Sequence, residues 1–302
     1  MANTLTNIQD IRIAQAFLEA YRAKLLSLMV FSTDFSPEFL QRGKTVTVPI
    51  VGASLPNSST FGGSYSANAD RTTTGLEVVC DKHFVRSFHL TDREFAESSF
   101  VALERQARAE AHQLAHDVLQ EIFSVITLAN YGAPVIDPVA EADFDASTVL
   151  QIRRGCAAAK MPTTERALIL DDAYYTALLA DKTVSQSYLA QMAQPALMEA
   201  LVPRIYGFNV HDTVVLPEND EDLVGFAAHP SGLAVAMRYL APLRPESYLE
   251  AAPVTDPETG ITFGYRRFYD NDAGKEFVAF ECLFGYKKAL TDGIKRITKP
   301  AA

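Results

Sequence analysis

The sequence predicts a mixed α+β fold, and three observations lead to that prediction. Apolar and polar residues alternate with a period of two over residues 44–51 and again over 76–90, which is the pattern of half-buried strands. A helical apolar stripe then runs over about 91–130 without an internal glycine or proline. In the second half, short helical and strand patterns mix without regular alternation, which excludes a Rossmann or barrel plan.

The composition is that of a soluble globular protein. The 302 residues are 48% hydrophobic and 21% charged, which is enough apolar material for a large core. The mean hydropathy is +0.01, and no apolar run approaches the length of a membrane span. The first ten residues are polar and lack the order of a signal peptide, so we expect synthesis in the cytoplasm. A net charge of −10 disfavours adventitious adhesion to nucleic acid.

Residues 1–43 contain one amphipathic helix over about 8–28. Its apolar residues recur at three- and four-residue steps, and Thr6 with Gln9 forms a capping box at its start. Residues 44–90 form the next unit, in which two strands flank a polar stretch. Of the 24 residues from 52 to 75, 15 are Gly, Ser, Thr or Asn, so this stretch cannot bury itself.

The polar stretch is predicted to project as a long hairpin loop. Phe61, Tyr65 and Arg71 are its candidate contacts with a neighbouring subunit. The alternative is a hairpin that contacts no partner.

A long helix is predicted over residues 92–130, opened by a capping box between Thr91 and Glu94. It would be about 55–60 Å long, whereas a compact chain of this length is only about 50 Å across. The molecule is therefore expected to be a plate or wedge built along this helix. Glu104, Arg105 and Arg108 are candidate contacts on its polar face, with Glu104 and Arg108 spaced as an i,i+4 pair. A coiled-coil dimer is the competing interpretation, but the stripe drifts from a strict heptad.

After an acidic linker over 133–145, the sequence predicts a mixture of short helices and strands. Ser147 is the predicted cap of the first helix. Helices are predicted at 147–160, 171–180, 185–194 and 231–239, strands at 166–170, 204–216 and 223–228, and a hairpin of 261–269 and 276–286 joined by a turn at 270–274.

The charge distribution is uneven along the chain. Two acidic patches lie at 137–145 and 218–222, and the C-terminal tail is basic, with Lys295 and Arg296 as its candidate contact residues. Acidic patches and basic tail either meet between subunits or are solvated loops.

Motifs for enzymatic chemistry are missing from the sequence. It contains no GxxxxGK, GxGxxG, HExxH or GxSxG pattern, and we predict no catalytic, cofactor or metal site. His112 and His116 have metal-ligand spacing without an evident third ligand. The cluster of Asp171, Asp172, Tyr174 and Tyr175 is an equally weak acid/base candidate. A metal-dependent enzyme is therefore kept only as a distant alternative.

Two further features have structural interpretations. Cys80, Cys156 and Cys282 stand far apart without CxxC spacing, which predicts buried, reduced thiols. Residues 270–281 imitate part of a calcium loop, but Lys275 occupies the position of its required glycine, so a hairpin turn is favoured.

The order of these elements resembles the major capsid proteins of tailed bacteriophages. The resemblance covers nearly the whole chain and rests on order more than on any residue. The segments that carry it are the strand at 43–49, the helix start at 91–94, the strand-helix unit from 166 to Tyr174, the I-x-G-x-x-V strand at 204–210, and 226–230 leading into a predicted helix.

The resemblance implies five regions. They are an N-terminal arm (1–43), an extended loop (44–90), a peripheral domain with a spine helix (91–146), an axial domain (147–251), and a return hairpin with the basic tail (252–302). No lysine lies between Lys44 and Lys82, so covalent cross-linking through the extended loop is not expected.

The resemblance also implies a function. The expectation is a subunit of an icosahedral phage head that forms hexamers and pentamers around double-stranded DNA, without a cofactor. Its partners would be copies of itself, a scaffolding protein and a portal protein, with non-specific contact to packaged DNA and no membrane. Its location would be the virion, after synthesis in the bacterial cytoplasm. The alternative with the same fold is an encapsulin-like shell of a bacterial compartment.

Overall fold

The computed structural model describes residues 8–39, 44–49, 75–91, 94, 100–181, 204–217 and 219–300. Within these ranges the helices are α1 (Ile8–Leu25), α2 (Phe100–Phe123), α3 (Leu128–Tyr131), α4 (Ala146–Ala158) and α5 (Asp172–Ala180). The strands are β1 (Ser32–Phe39), β2 (Thr45–Pro49), β3 (Gly75–Val79), β4 (Lys82–Thr91), β5 (Ala167–Asp171), β6 (Arg204–Ile205), β7 (Phe208–Thr213), β8 (Leu223–Ala228), β9 (Leu233–Tyr239), β10 (Glu250–Thr255), β11 (Thr262–Asp270), β12 (Lys275–Lys288) and β13 (Ile294–Thr298).

Two sheets organise the described part of the chain, which confirms the α+β class. The larger sheet has the order β1-β9-β12-β11-β10, and β4 also pairs with β12. The 14-residue β12 is long enough to pair with β4 along its first part and with β9 along its last part. The second sheet has the order β13-β8-β5-β7-β6, and β2 pairs only with β3.

One continuous core joins the helices α1 and α2 to both sheets. Phe17 and Tyr21 from α1 and Leu114 from α2 are fully buried beside Phe280 of the larger sheet and Phe226 of the second sheet. A separate cluster forms where α4 and α5 cover the opposite face of the second sheet. The second sheet is therefore covered on both faces, which explains why β8 is buried at every position.

Residues 8–39 contribute to the core and to the larger sheet, whereas an N-terminal arm would extend away from the body. The predicted helix is confirmed over Ile8–Leu25, and a 3₁₀ turn at Leu26–Val30 follows it. The next segment, β1, was not predicted, and it pairs in parallel with β9 at the edge of the larger sheet. The Thr6 capping box lies outside the described residues.

The long helix is shorter than the sequence predicts. The capping box is confirmed: the Thr91 amide donates to Glu94 Oε2 at 2.9 Å, and the Glu94 amide donates to Thr91 Oγ1 at 3.2 Å. However, α2 ends at Phe123, because the Thr127 side chain accepts from the Asn130 amide and starts α3 as a separate helix. The 24 residues of α2 span about 36 Å, so the predicted 55–60 Å helix over 92–130 is wrong at its C-terminal end.

The predicted helix over 231–239 is wrong, because these residues form a short 3₁₀ turn and then β9. The seven residues of β9 are all buried between β1 and β12. A central strand that is covered on both faces has a continuous apolar run, and such a run shows no period of two.

Other boundaries also differ from the prediction. The run over 76–90 is two strands, of which β3 pairs with β2 and β4 pairs with β12. The strand predicted over 204–216 is a hairpin of β6 and β7, because Tyr206 and Gly207 both have positive φ and form a tight turn. Helix α4 is capped by Asp145 and not by Ser147. The helix predicted at 185–194 lies outside the described residues.

The return hairpin of β11 and β12 is confirmed, with Asp270 paired to Lys275 across its turn. The strands at 166–170 and 223–228 and the helix at 171–180 are confirmed as β5, β8 and α5. The sheets do not follow the expected division at residue 251, since β9 joins the larger sheet and β13 joins the second one. No described helix has the length and apolar character that a membrane crossing requires.

Candidate functional site

The two strands that flank residues 50–74 pack against the larger sheet. β2 and β3 pair from Thr45 with Val79 to Pro49 with Gly75, as an antiparallel hairpin should. A small apolar cluster anchors the pair to the larger sheet; it consists of Val46, Val48, Val78, Cys80, Ala234, Ala236 and Leu283. The candidate residues Phe61, Tyr65 and Arg71 lie in the segment between these strands, outside the described residues.

Close backbone approach holds this base in place. Gly285 of β12 lies against the Val79 carbonyl, where any Cβ would overlap the oxygen. The Lys287 ammonium donates to the Glu77 carbonyl at 3.1 Å, and the Cys80 amide donates to the Lys44 carbonyl at 3.1 Å. The two strands that flank residues 50–74 are therefore held in fixed positions against the larger sheet.

The candidate residues on α2 contact α1 of the same chain. Glu104 pairs with Arg12 at 2.8 Å, and Arg108 pairs with Glu19 at 3.4 Å. The predicted i,i+4 pair between Glu104 and Arg108 is therefore replaced by two pairs between helices. Both are solvent-exposed and contribute little to stability. Arg105 is exposed.

Basic residues of the tail form ion pairs with acidic residues of the same chain. Arg296 lies in β13, is 2% exposed, and its Nη2 contacts Glu221 Oε2 at 2.5 Å. Lys295 pairs with Asp292 at 2.8 Å. Residues of the acidic patch and of the tail thus pair within one subunit, through Arg296 with Glu221 and Lys299 with Asp222, so they are more than the solvated loops that the sequence favoured.

A groove of about 740 Å³ lies at the end of the second sheet where β5 stops, and sequence reasoning missed it. Four carboxylates line it, from Glu141, Asp171, Asp220 and Asp222. Among the described lining residues Lys299 is the single cation, and its Nζ lies 3.7 Å from Asp222. The lining comes from four separate stretches of sequence, 140–141, 171–174, 214–224 and 299–300, so no local motif reveals it.

The groove carries a negative electrostatic potential. Burial, together with the nearby carboxylates of Glu141 and Asp171, raises the pKa of Tyr174. The Tyr174 hydroxyl donates to the Val139 carbonyl at 2.8 Å, so this tyrosine fixes the 139–141 segment. The side-chain amide of Asn219, another lining residue, has both polar atoms buried without a hydrogen-bond partner among the residues that the structure describes.

The residues considered for enzymatic chemistry lie on α2 or near the apolar cluster under α4 and α5. His112 is exposed on α2, and the Nδ1 of His116 lies 3.8 Å from Asp117. No group of three potential metal ligands is assembled within the described ranges. Tyr174 and Tyr175 pack into the cluster under α4 and α5, so the acid/base candidate is a packing motif.

The cysteines are buried and free, as predicted. Burial raises the pKa of Cys80 and Cys156 to about 11 and that of Cys282 to about 12. Their thiolate fraction at neutral pH is therefore very low, which is the state of inert structural thiols.

No protein-family model and no curated protein matches this sequence. Solved structures do match the fold. The capsid of Ralstonia phage GP4 is 11% identical with a TM-score of 0.55, and the match covers 90% of this chain and 88% of that chain. A structure from Mycobacterium phage Che8 is 16% identical with a TM-score of 0.54, covering 89% and 97% of the two chains.

A virus-like particle from Pyrococcus furiosus is equally similar. It is 11% identical with a TM-score of 0.56, and the match covers 95% of this chain and 98% of that chain. Identities this low establish a fold and not a function. The α1 and α2 pair on a large sheet, the anchored β2–β3 base and the second sheet together give this chain the fold of tailed-bacteriophage major capsid proteins.

Proposed function

We propose that this chain is a structural, non-enzymatic subunit of an icosahedral phage head. Copies would form hexamers and pentamers that enclose double-stranded DNA, with scaffolding and portal proteins as further partners. The observation that carries the proposal is the extent of the fold match, which covers 89–90% of this chain and 88–97% of the Che8 and GP4 chains.

The geometry of the hairpin base supports this role. The small apolar cluster and the close approach of Gly285 hold β2 and β3 against β9 and β12. The two strand ends that flank residues 50–74 are therefore fixed. A tether of this kind suits a segment that reaches a neighbouring subunit. Phe61, Tyr65 and Arg71 are the residues proposed to make that contact.

Imaging of the expressed protein tests the proposal. Negative-stain microscopy of the purified chain, alone and with a co-expressed scaffolding partner, should show capsomers or closed shells. Persistent monomers under both conditions, across a range of protein and salt concentrations, would contradict a shell function.

Deleting residues 54–73 tests the loop. The shortened chain should fold as a monomer with unchanged circular dichroism but should form no shells, since the deletion removes the proposed intersubunit contact and leaves the base intact. A matched control replaces the same residues by glycine and serine at equal length. Normal shells from both variants would show that the loop makes no required contact.

An encapsulin-like protein shell is the second candidate, and the likeness to the Pyrococcus virus-like particle keeps it open. The two candidates differ in contents. Nuclease-treated particles from the natural source should contain protected double-stranded DNA if the chain is a phage head subunit. Particles that contain protein cargo and no DNA would favour the compartment shell.

A further inference from the structure

The second sheet and its two helices are electrically polarised. β5 runs from Ala167 to Asp171, and α4 (Ala146–Ala158) precedes it in the chain. The start of α4 is tied to the end of α5, because the Ala146 amide donates to Asp181 Oδ2 at 2.8 Å. The chain after α4 is tied to the start of β5, because the Arg166 guanidinium donates to the Pro162 carbonyl at 2.6 Å. The 13 residues of α4 between these two contacts span about 20 Å.

The end at Asp171 is strongly negative, and we call it the negative pole. It contains the 740 Å³ groove and several exposed carboxylates around it. Its carboxylates belong to Glu141, Asp143, Asp145, Asp171, Asp172, Asp220 and Asp222. Lys299 opposes only one of them, and the unpartnered amide of Asn219 lines the same groove. A groove with this lining suits a cationic, hydrogen-bonding occupant such as a guanidinium.

The outer surface of the second half of α4 is positive, and we call it the positive pole. Arg153, Arg154 and Lys160 are all exposed there. Within the described ranges none of the three forms an ion pair, whereas Arg296, Lys295 and Arg12 do. The exposed carboxylates at this end include Glu165 and Asp292, and Asp292 pairs with Lys295 at 2.8 Å. These cations therefore keep their charge available for another molecule.

We propose that the negative pole of one copy binds the positive pole of the next copy, with Arg153 and Arg154 of the second copy as the groups that enter the acidic groove of the first. This inference rests on the proposed function, since it assigns a contact within the ring of subunits. Like poles repel, so a symmetric face-to-face contact is disfavoured. A head-to-tail contact between two different surfaces generates a closed ring when the rotation between copies closes.

Charge reversal tests the contact. The variant R153E/R154E makes both poles negative, and E141K/D172K weakens the negative pole and adds cations there. Each variant alone should raise the protein concentration needed for half-maximal capsomer formation by about tenfold or more, because a close charge pair across an interface is lost or reversed. An equimolar mixture of the two, or one chain that carries all four changes, should need a lower protein concentration for assembly than R153E/R154E alone, because the new lysines at 141 and 172 can pair with the new glutamates.

A matched control separates the pole from net charge. K24E/R244E changes the net charge as much as R153E/R154E, at two exposed positions that belong to neither pole. It should assemble like wild type in sedimentation velocity, and circular dichroism should show that every variant is folded. Wild-type assembly should also weaken between about 0.05 and 0.5 M NaCl, where the Debye length falls to a few ångströms.

The outcomes distinguish this contact from the proposed function. If R153E/R154E assembles as readily as wild type, or if the mixture of variants restores nothing, the pole contact is refuted while the shell function stands. If wild type and the mixture both stay monomeric at every concentration, both the pole contact and the shell function are refuted.

Discussion

Replacing Phe17 with alanine tests whether α1 is a structural part of the core or a detachable arm. The Phe17 ring is fully buried. It stacks on Phe280 with ring centroids 3.8 Å apart and planes 13° apart, and its centroid lies 4.6 Å from that of Phe263. Tyr21, one turn later, lies 5.4 Å away. The ring therefore joins α1 to two strands of the larger sheet.

The expected loss follows from this packing. Truncation of a buried phenylalanine to alanine costs about 3–5 kcal/mol, including the cavity that remains. Aromatic pairs contribute about 0.5–1.5 kcal/mol beyond buried area, which places Phe17 in the upper half of that range. We expect a loss of about 4 kcal/mol in the free energy of unfolding, or about a thousandfold in the ratio of folded to unfolded protein.

Urea unfolding of monomeric protein measures this loss. The chain contains 12 tyrosines and no tryptophan, so tyrosine fluorescence and circular dichroism are the suitable signals. The midpoint should fall while the dependence on urea stays unchanged. Gln15→Ala, at an exposed position of the same helix, is the control and should change stability by less than about 0.5 kcal/mol. A loss below about 1 kcal/mol for Phe17→Ala would refute the assignment of α1 to the core.

Two further predictions concern a helix cap and the hairpin base. Asp145 accepts from the Thr148 amide at 2.8 Å, and this bond holds its pKa below the usual value. Asp145→Ala should cost about 1 kcal/mol at pH 7 and less as pH falls through that lowered pKa, while Asp145→Asn should keep most of the cap without that pH dependence. A cost for Asp145→Ala that is equal at pH 3 and pH 7 would contradict this. Gly285→Ala should loosen β2 and β3, because its Cβ would overlap the Val79 carbonyl. Hydrogen exchange of the β3 amides should quicken while β11 stays protected, and unchanged β3 exchange would refute the anchoring role.

The sequence predicted elements wherever local chemistry decides them. The Thr91–Glu94 capping box and the Asp270 turn were read correctly, because the interacting groups are at most five residues apart. The end of α2 was missed because the apolar stripe continues through Val125 and Ile126. The Thr127 cap outweighs that stripe and starts a new helix.

Elements that depend on distant pairing could not be predicted in the same way. The β9 residues read equally well as a buried helix, and only pairing with β1 and β12 makes them a strand. β13 was likewise not predicted, since its partner β8 comes from a remote part of the chain. β10 was also missed, although it pairs with the next strand, β11. The acidic groove has the same origin, because Glu141, Asp171 and Asp222 come together only when both helices pack on the second sheet.

Ion pairs within one subunit limit which basic residues can also bind a second copy of the chain. Arg296 donates through its two terminal nitrogens to the Glu221 carboxylate and to the Gly132 and Glu221 carbonyls, so moving it to a partner would leave buried acceptors unpaired at a cost of several kcal/mol. Binding of Arg153 and Arg154 to a second copy carries no such cost, because they have no ion-pair partner among the described residues. A basic residue therefore contributes to assembly according to its pairing inside the subunit, and the number of lysines and arginines in a tail does not reveal that pairing.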